Sequence, residues 1–344
     1  MKLTASVRLA VGMFAIVTGV TVMVAYIGSG TAVAAQGKKR PALPAPAKAN
    51  SSPSPASSAT AQFKTASVFH PPSAQDIPQD EFGQTVKMGR DIFEHTKRYA
   101  SEYVGKDSNL NCSSCHLDAG RLAHSSPLWA AYVSYPAYRS KNKHVNTFSE
   151  RLQGCFKYSM NGKAPPLGDP VLVALESYAY WLASGATIDP KINGRGYPAV
   201  PVPPLARNYG RGQRVFEQHC ALCHGADGAG QLDGSGSSAF PALWGAKSFN
   251  WGAGMASIKN AAGFIQGNMP LALGGTLSDQ QAWDVAAFMN SHERPQDPRF
   301  NGTIAATRAL YHDTPDDMYG VMVHGQLLGA GMPAATGINH GDVR

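Results

Sequence analysis

The sequence predicts an all-α protein in which one small helical unit occurs twice in tandem, and three observations predict it. A Cys-x-x-Cys-His motif stands at residues 112–116 and again at 220–224, 108 residues further on. Each motif follows a glycine-led amphipathic stretch, "GRDIF" at 89–93 and "GQRVF" at 212–216, sharing a G-x-x-aliphatic-Phe pattern. Each copy then closes on a capped run of helical periodicity.

In chain order, the first 35 residues read as an export signal. Lys2 and Arg8 precede the apolar run "LAVGMFAIVTGVTVMVAYIG", and "TAVAAQ" offers a small-residue cleavage site. The run approaches the roughly 20 residues that span a bilayer, so an uncleaved membrane anchor is the alternative. Residues 36–64, rich in Pro, Ala and Ser, bury too little apolar surface to pack and read as a disordered tether. The first helical domain is expected over 65–195 and the second over 196–297. In the first copy "DPVLVALESYAYWLASG" begins its closing helix with Asp169 as N-cap and Pro170 in the first turn. In the second, "LSDQQAWDVAAFMNSHERP" pairs Ser278 with Gln281 as a capping box, and Pro295 follows the run. The first copy carries an insertion, "EHTKRYASEYVGKDSNLN", before its motif, and a Pro-rich join, "PKINGRGYPAVPVPPL", links the copies. Residues 298–344 show little periodicity and are expected to form an irregular extension packed on the surface.

The net charge of +7 is not a nucleic-acid signature. The first 64 residues hold seven basic and no acidic groups, leaving 23 of each sign in the remainder. One window of that remainder is uneven: Arg121, Arg139, Lys141, Lys143, Arg151, Lys157 and Lys163 stand against Glu150 alone. It is either a solvated basic face or an anion-attracting site around Cys155.

A covalently attached haem needs two thiols to reach two vinyl groups and an imidazole beneath the iron, which is what Cys-x-x-Cys-His supplies within one turn. A thioredoxin-like pair would sit in a βαβ context that the pattern lacks, and a zinc site would need further Cys or His at ligand spacing. The chain is therefore expected to hold two c-type haems, on Cys112, Cys115 and His116 and on Cys220, Cys223 and His224. For the second iron, "QGNMPLALGG" puts Met269 in a loop ahead of the closing helix, 45 residues past His224. A Met-Pro there resembles the distal ligand of class I cytochromes c, so Met269 is preferred over Met255, Met289 and Met332. The matching loop of the first copy offers both Cys155 and Met160. A thioether would make an ordinary electron carrier, whereas a thiolate lowers the potential. Cys155, the one cysteine outside the two motifs, is otherwise a liability in an oxidising compartment.

The stretch "YPAYRSKNKHVNTFSERLQGCFKYSMNG" resembles the bacterial di-haem thiosulfate dehydrogenases, which couple two thiosulfates into tetrathionate. These are related to sulfur-oxidation cytochromes with a cysteine-ligated haem. The resemblance spans about residues 80–300. It implies His116 and Cys155 as ligands of an active-site haem, and His224 and Met269 as ligands of a second. It also implies substrate contacts from Arg151 and Ser159, and from a second basic group that is either Arg139 or Lys141. Cys155 would also bond transiently to a thiosulfate sulfur. Electrons would pass to a soluble or membrane-bound acceptor such as another cytochrome c, and the enzyme would be periplasmic, touching a membrane only if the N-terminal segment is uncleaved.

Overall fold

The computed structural model describes residues 70–188, 192–234, 236 and 238–331. The proposed signal and tether, together with Met332, lie outside this range. No described helix is long and apolar enough to cross a membrane.

Helix α1 (Glu81–Glu94) starts at Asp80, whose carboxylate accepts the Gly83 N–H at 2.8 Å. Helix α2 (Phe148–Gly154) opens with a Thr147–Glu150 capping box and runs directly into a π-helical turn, Cys155–Ser159. Helix α3 (Pro170–Leu182) has the expected Asp169 cap and leading proline. Helix α4 (Tyr209–His219) is capped by Asn208, and α5 (Ile258–Asn268) ends at Met269. Helix α6 (Asp279–Asn290) has the expected Ser278–Gln281 box. These caps satisfy amide donors that a helix start leaves unpaired.

The repeated G-x-x-aliphatic-Phe pattern has a steric cause. Helix α1 crosses α3 at Gly89, where a Cβ would lie 2.0 Å from the Ala174 carbonyl oxygen and 2.8 Å from Tyr178 Cβ. Helix α4 crosses α6 at Gly212, where a Cβ would lie 2.1 Å from the Asp284 carbonyl oxygen and 2.7 Å from Phe288 Cβ. In both crossings the glycine removes the one atom that would hold the backbones apart. The aliphatic-Phe pairs that follow, Ile92–Phe93 and Val215–Phe216, are buried in one hydrophobic core shared by both halves. Trp283, Ala286, Ala287 and Met289 of α6 are buried, and so are Asp284, Val285 and Asn290, so the helix is enclosed on more than one face.

Three two-stranded hairpins add to the helices among the described residues: β1 (Ala137–Arg139) with β2 (His144–Asn146), β3 (Gln231–Leu232) with β4 (Ser238–Phe240), and β5 (Met322–Val323) with β6 (Gln326–Leu327). Strands of two or three residues are too short to show a period of two.

The tail departs from expectation. Instead of an irregular surface extension, Thr303 caps a further helix, α7 (Ile304–Tyr311), and Met318, Tyr319, Val323 and Leu328 are buried in the core. His312 is buried between two carboxylates, at 2.7 Å from Asp317 and 2.9 Å from Asp297, and Asp297 also pairs with Arg299 at 2.6 Å. A lone buried charge is costly, so this mutually compensated cluster anchors the tail.

Candidate functional site: two cavities carrying the cysteine motifs

Each Cys-x-x-Cys-His motif opens onto its own cavity. The first, about 350 Å³, is lined by Cys112, Cys115, His116, Arg139, Arg151, Cys155, Ser159 and Met160, with Phe93, Leu128, Leu152 and Phe156 among its apolar walls. The second, about 370 Å³, is lined by Cys220, Cys223, His224 and Met269, with Phe216, Leu243 and Val285. Leu110, Asn111, Cys115, Phe249 and Met255 line both, so the cavities share a wall that includes the second cysteine of the first motif.

Both histidines are poised as neutral ligands. His116 Nδ1 lies 2.6 Å from the Ser126 carbonyl oxygen and His224 Nδ1 lies 2.9 Å from that of Pro241, to which each donates as the Nδ1–H tautomer. Nε2 is then left with its lone pair. Burial lowers the His116 pKa to about 4 and that of His224 in the same direction, so neither is charged near neutrality. Two thiols, a neutral imidazole with a free Nε2 and an apolar enclosure fit a c-type haem in donor chemistry and in surroundings. A haem would be held by Cys112, Cys115 and His116, or by Cys220, Cys223 and His224. Cys155 and Met160 remain the candidates for a second iron ligand in the first cavity, and Met269 in the second. Of the rival methionines, Met289, buried on α6, and Met255, in the shared wall, also line the second cavity.

The π turn decides what the first cavity presents. Its wider winding brings the Met160 N–H onto the Cys155 carbonyl at 3.0 Å and turns Cys155, Ser159 and Met160 all toward the cavity. Such turns within α-helices are frequent at functional sites. One helical turn back on α2, Arg151 donates through Nη1 to Cys155 Sγ at 2.8 Å. Cys155, with smaller help from Tyr135 and Tyr197, holds the Arg151 pKa above its ordinary value against burial. The other half of the chain braces the turn: Asn250 Nδ2 donates to the Lys157 carbonyl at 2.9 Å and to Asn161 Oδ1 at 3.1 Å. The insertion of the first copy packs against the same segment, with the Gly105 N–H on the Met160 carbonyl at 3.0 Å.

The structure separates the two candidates for the second basic group. Arg139, on β1, lines the first cavity and donates to the Tyr135 hydroxyl at 2.6 Å. Lys141 is absent from that lining; its ammonium lies 4.1 Å from the Tyr158 ring centroid and donates to the Gly252 carbonyl. Burial, with Arg299 and Arg151 adding repulsion, lowers its pKa to about 7. Lys141 therefore braces the two halves where a substrate contact had been the alternative. Sequence reasoning missed Tyr135, Arg195 and Tyr197, which also line the first cavity. The last two sit in the Pro-rich join, whose composition reads as a spacer; an arginine between two glycines was the only signal.

Helices closing over an apolar cavity that carries a Cys-x-x-Cys-His donor set define a c-type cytochrome, here with a free thiol in one cavity. Residues 207–289 match the family described as cytochrome c oxidase, cbb3-type, subunit III. Thiosulfate dehydrogenase of Thiomonas intermedia is 59% identical over 273 residues, covering 79% of this chain and 86% of that protein. Thiosulfate dehydrogenase of Stutzerimonas stutzeri is 51% identical over 268 residues, 77% of this chain and 86% of its own. The solved structure of thiosulfate dehydrogenase (TsdBA) from Marichromatium purpuratum superposes with a TM-score of 0.74 at 48% identity, covering 77% of this chain; the match spans 58% of that longer protein. The chain belongs to the thiosulfate dehydrogenase family and is an oxidoreductase.

Proposed function

We propose that this protein joins two thiosulfates into tetrathionate in the first cavity, with one haem in each of two tandem class I cytochrome c-like domains, and delivers the electrons to a cytochrome-type acceptor. His116 and Cys155 would hold the first iron, and His224 and Met269 the second. Bound haem would supply a one-electron carrier at each cavity, and the two cavities share the wall that includes Leu110, Phe249 and Met255. The amino-terminal apolar run argues for export to the periplasm.

One observation carries the reading: Cys155 Sγ accepts from Arg151 at 2.8 Å inside a cavity to which Arg139 and Ser159 also contribute and which none of the described Asp or Glu residues lines. Arg151 gives Cys155 Sγ a cationic hydrogen-bond donor and also attracts a dianion. Cys155 Sγ, which would first come free of the iron, forms an S–S bond with the sulfane sulfur of the first thiosulfate, and two electrons leave, one to each of two equivalents of the external one-electron acceptor. The sulfane sulfur of a second thiosulfate then attacks the sulfur bonded to Cys155. The bond to Cys155 breaks, its thiolate returns, and tetrathionate departs, with no proton exchanged in either half.

The test is thiosulfate-dependent reduction of an artificial acceptor by the purified single chain, with tetrathionate measured as product. Cys155→Gly should abolish turnover while both haems stay attached; retained turnover would overturn the assignment. Mass spectrometry of thiosulfate-treated protein should find the adduct on the Cys155 peptide.

A further inference from the structure

The first cavity is lined by a third guanidinium that neither the motifs nor the family resemblance pointed to. Arg195 belongs to the "GRGYP" turn of the join, 40 residues beyond Cys155 in sequence. Arg151 and Arg139 already donate to Cys155 and Tyr135. The Arg195 side chain is exposed, and among the described residues no hydrogen bond or ion pair engages it. Its backbone is nevertheless held in place. Gly194 and Gly196 on either side adopt φ of 86° and 71°, a left-handed backbone that favours glycine. The Gly194 carbonyl accepts the His124 N–H at 2.7 Å and the Gly196 carbonyl accepts the Ser126 N–H at 2.8 Å. Ser126 in turn orients His116 through its own carbonyl. The turn is thus pinned to the loop that sets one wall of the cavity.

We infer that Arg195 is the binding residue for the second, attacking thiosulfate at the mouth of the first cavity. This deepens the thiosulfate-oxidising reading and rests on it. Once the first thiosulfate is bonded to Cys155 the site carries its sulfonate charge, and the incoming dianion meets repulsion. Arg151 and Arg139 lie with that first anion. An exposed guanidinium with unused donors, carried on a pinned turn, offers the approaching sulfonate a two-point contact from the solvent side. No bond or electron is transferred at Arg195; its effect falls on the half-reaction that releases tetrathionate.

The experiment compares Arg195→Gln and Arg195→Lys with the unmodified haem-loaded chain. Arg195→Gln should raise the half-saturating thiosulfate concentration about ten- to a hundred-fold, the loss expected for one charge-assisted contact. Under limiting thiosulfate with acceptor present, the Cys155 adduct should accumulate in this variant. Arg195→Lys, keeping the charge without the fork, should recover part of the loss. Haem absorption and reduction potentials should match those of the unmodified chain. Unchanged saturation with no adduct build-up overturns the proposal. So does unchanged saturation with a shifted potential, which would mean that Arg195 serves the cofactor. If the unmodified chain fails to oxidise thiosulfate, the reading of the cavity itself falls, a result distinct from either.

Discussion

Helix α4 contains two glycines that the structure assigns opposite roles. At Gly212 an added Cβ would sit 2.1 Å from the Asp284 carbonyl oxygen and 2.7 Å from Phe288 Cβ. Non-bonded carbons rest at about 3.5–4.0 Å, so α4 would have to retreat from α6 by roughly 1 Å. Retreat is opposed because Asp284 holds α4 directly, accepting from Asn208 N–H at 2.7 Å and from Arg211 Nε at 2.6 Å. Overpacking of this kind costs about 1–3 kcal/mol and at times more, while the alanine returns less than about 1 kcal/mol of helix propensity. The expected net loss for Gly212→Ala is about 2 kcal/mol, or about 3–4 °C in melting temperature for a protein of this size. Two residues earlier, a Cβ on exposed Gly210 would meet only Asn208 Oδ1, at 3.4 Å. Gly210→Ala should therefore raise the melting temperature slightly. The assay is thermal unfolding of the haem-loaded protein followed by circular dichroism. A neutral or stabilising Gly212→Ala would refute the close-crossing argument, as would two variants that move together. Gly89→Ala should repeat the Gly212 result in the first half, where the Ala174 oxygen is 2.0 Å away.

Two further outcomes concern charged groups. Burial opposes charge on His312, but its hydrogen bonds to Asp297 and Asp317 outweigh burial and raise its pKa. The resulting stability is fully present below the unfolded value of about 6.5 and is lost as pH rises through the folded pKa. Melting curves across that range should show the loss in the native chain, whereas His312→Gln should start about 3 kcal/mol lower at pH 6 and lack this term. The two basic candidates should also separate: Arg139→Ala raises the half-saturating thiosulfate concentration about tenfold. Lys141→Met acts on stability instead, because the folded pKa of about 7 makes the native state shed a proton that the unfolded chain keeps. The native chain gains stability as pH rises from about 7 to 10, and the variant should not; a larger saturation effect from Lys141→Met than from Arg139→Ala would reverse the assignment.

Local chemistry was readable because it is written within a few residues. The Asp169 cap and the Ser278–Gln281 box each depend on contacts no more than one or two turns apart, and the structure shows them where the pattern placed them. The glycine-led stretch was visible as a repeat, but its purpose lay in a partner helix some 70–85 residues away. Helix α7 had a local signal, Thr303 before an alanine-rich run, that its short length obscured. The π turn and Asn250 bracing it from the opposite half left no local trace, and Arg195 left only its two flanking glycines.

By itself the sequence determined the residue chemistry: two Cys-x-x-Cys-His motifs, an unpaired thiol in a basic window, and an acid-free amino terminus. Only the tertiary structure decided which bases face the thiol. Arg139 and Lys141 are two residues apart in sequence, yet one lines the cavity and the other lies on the Tyr158 ring. Spacing sets which residue types are near in sequence; the direction each side chain takes comes from packing partners far along the chain, and that is where the site is chosen.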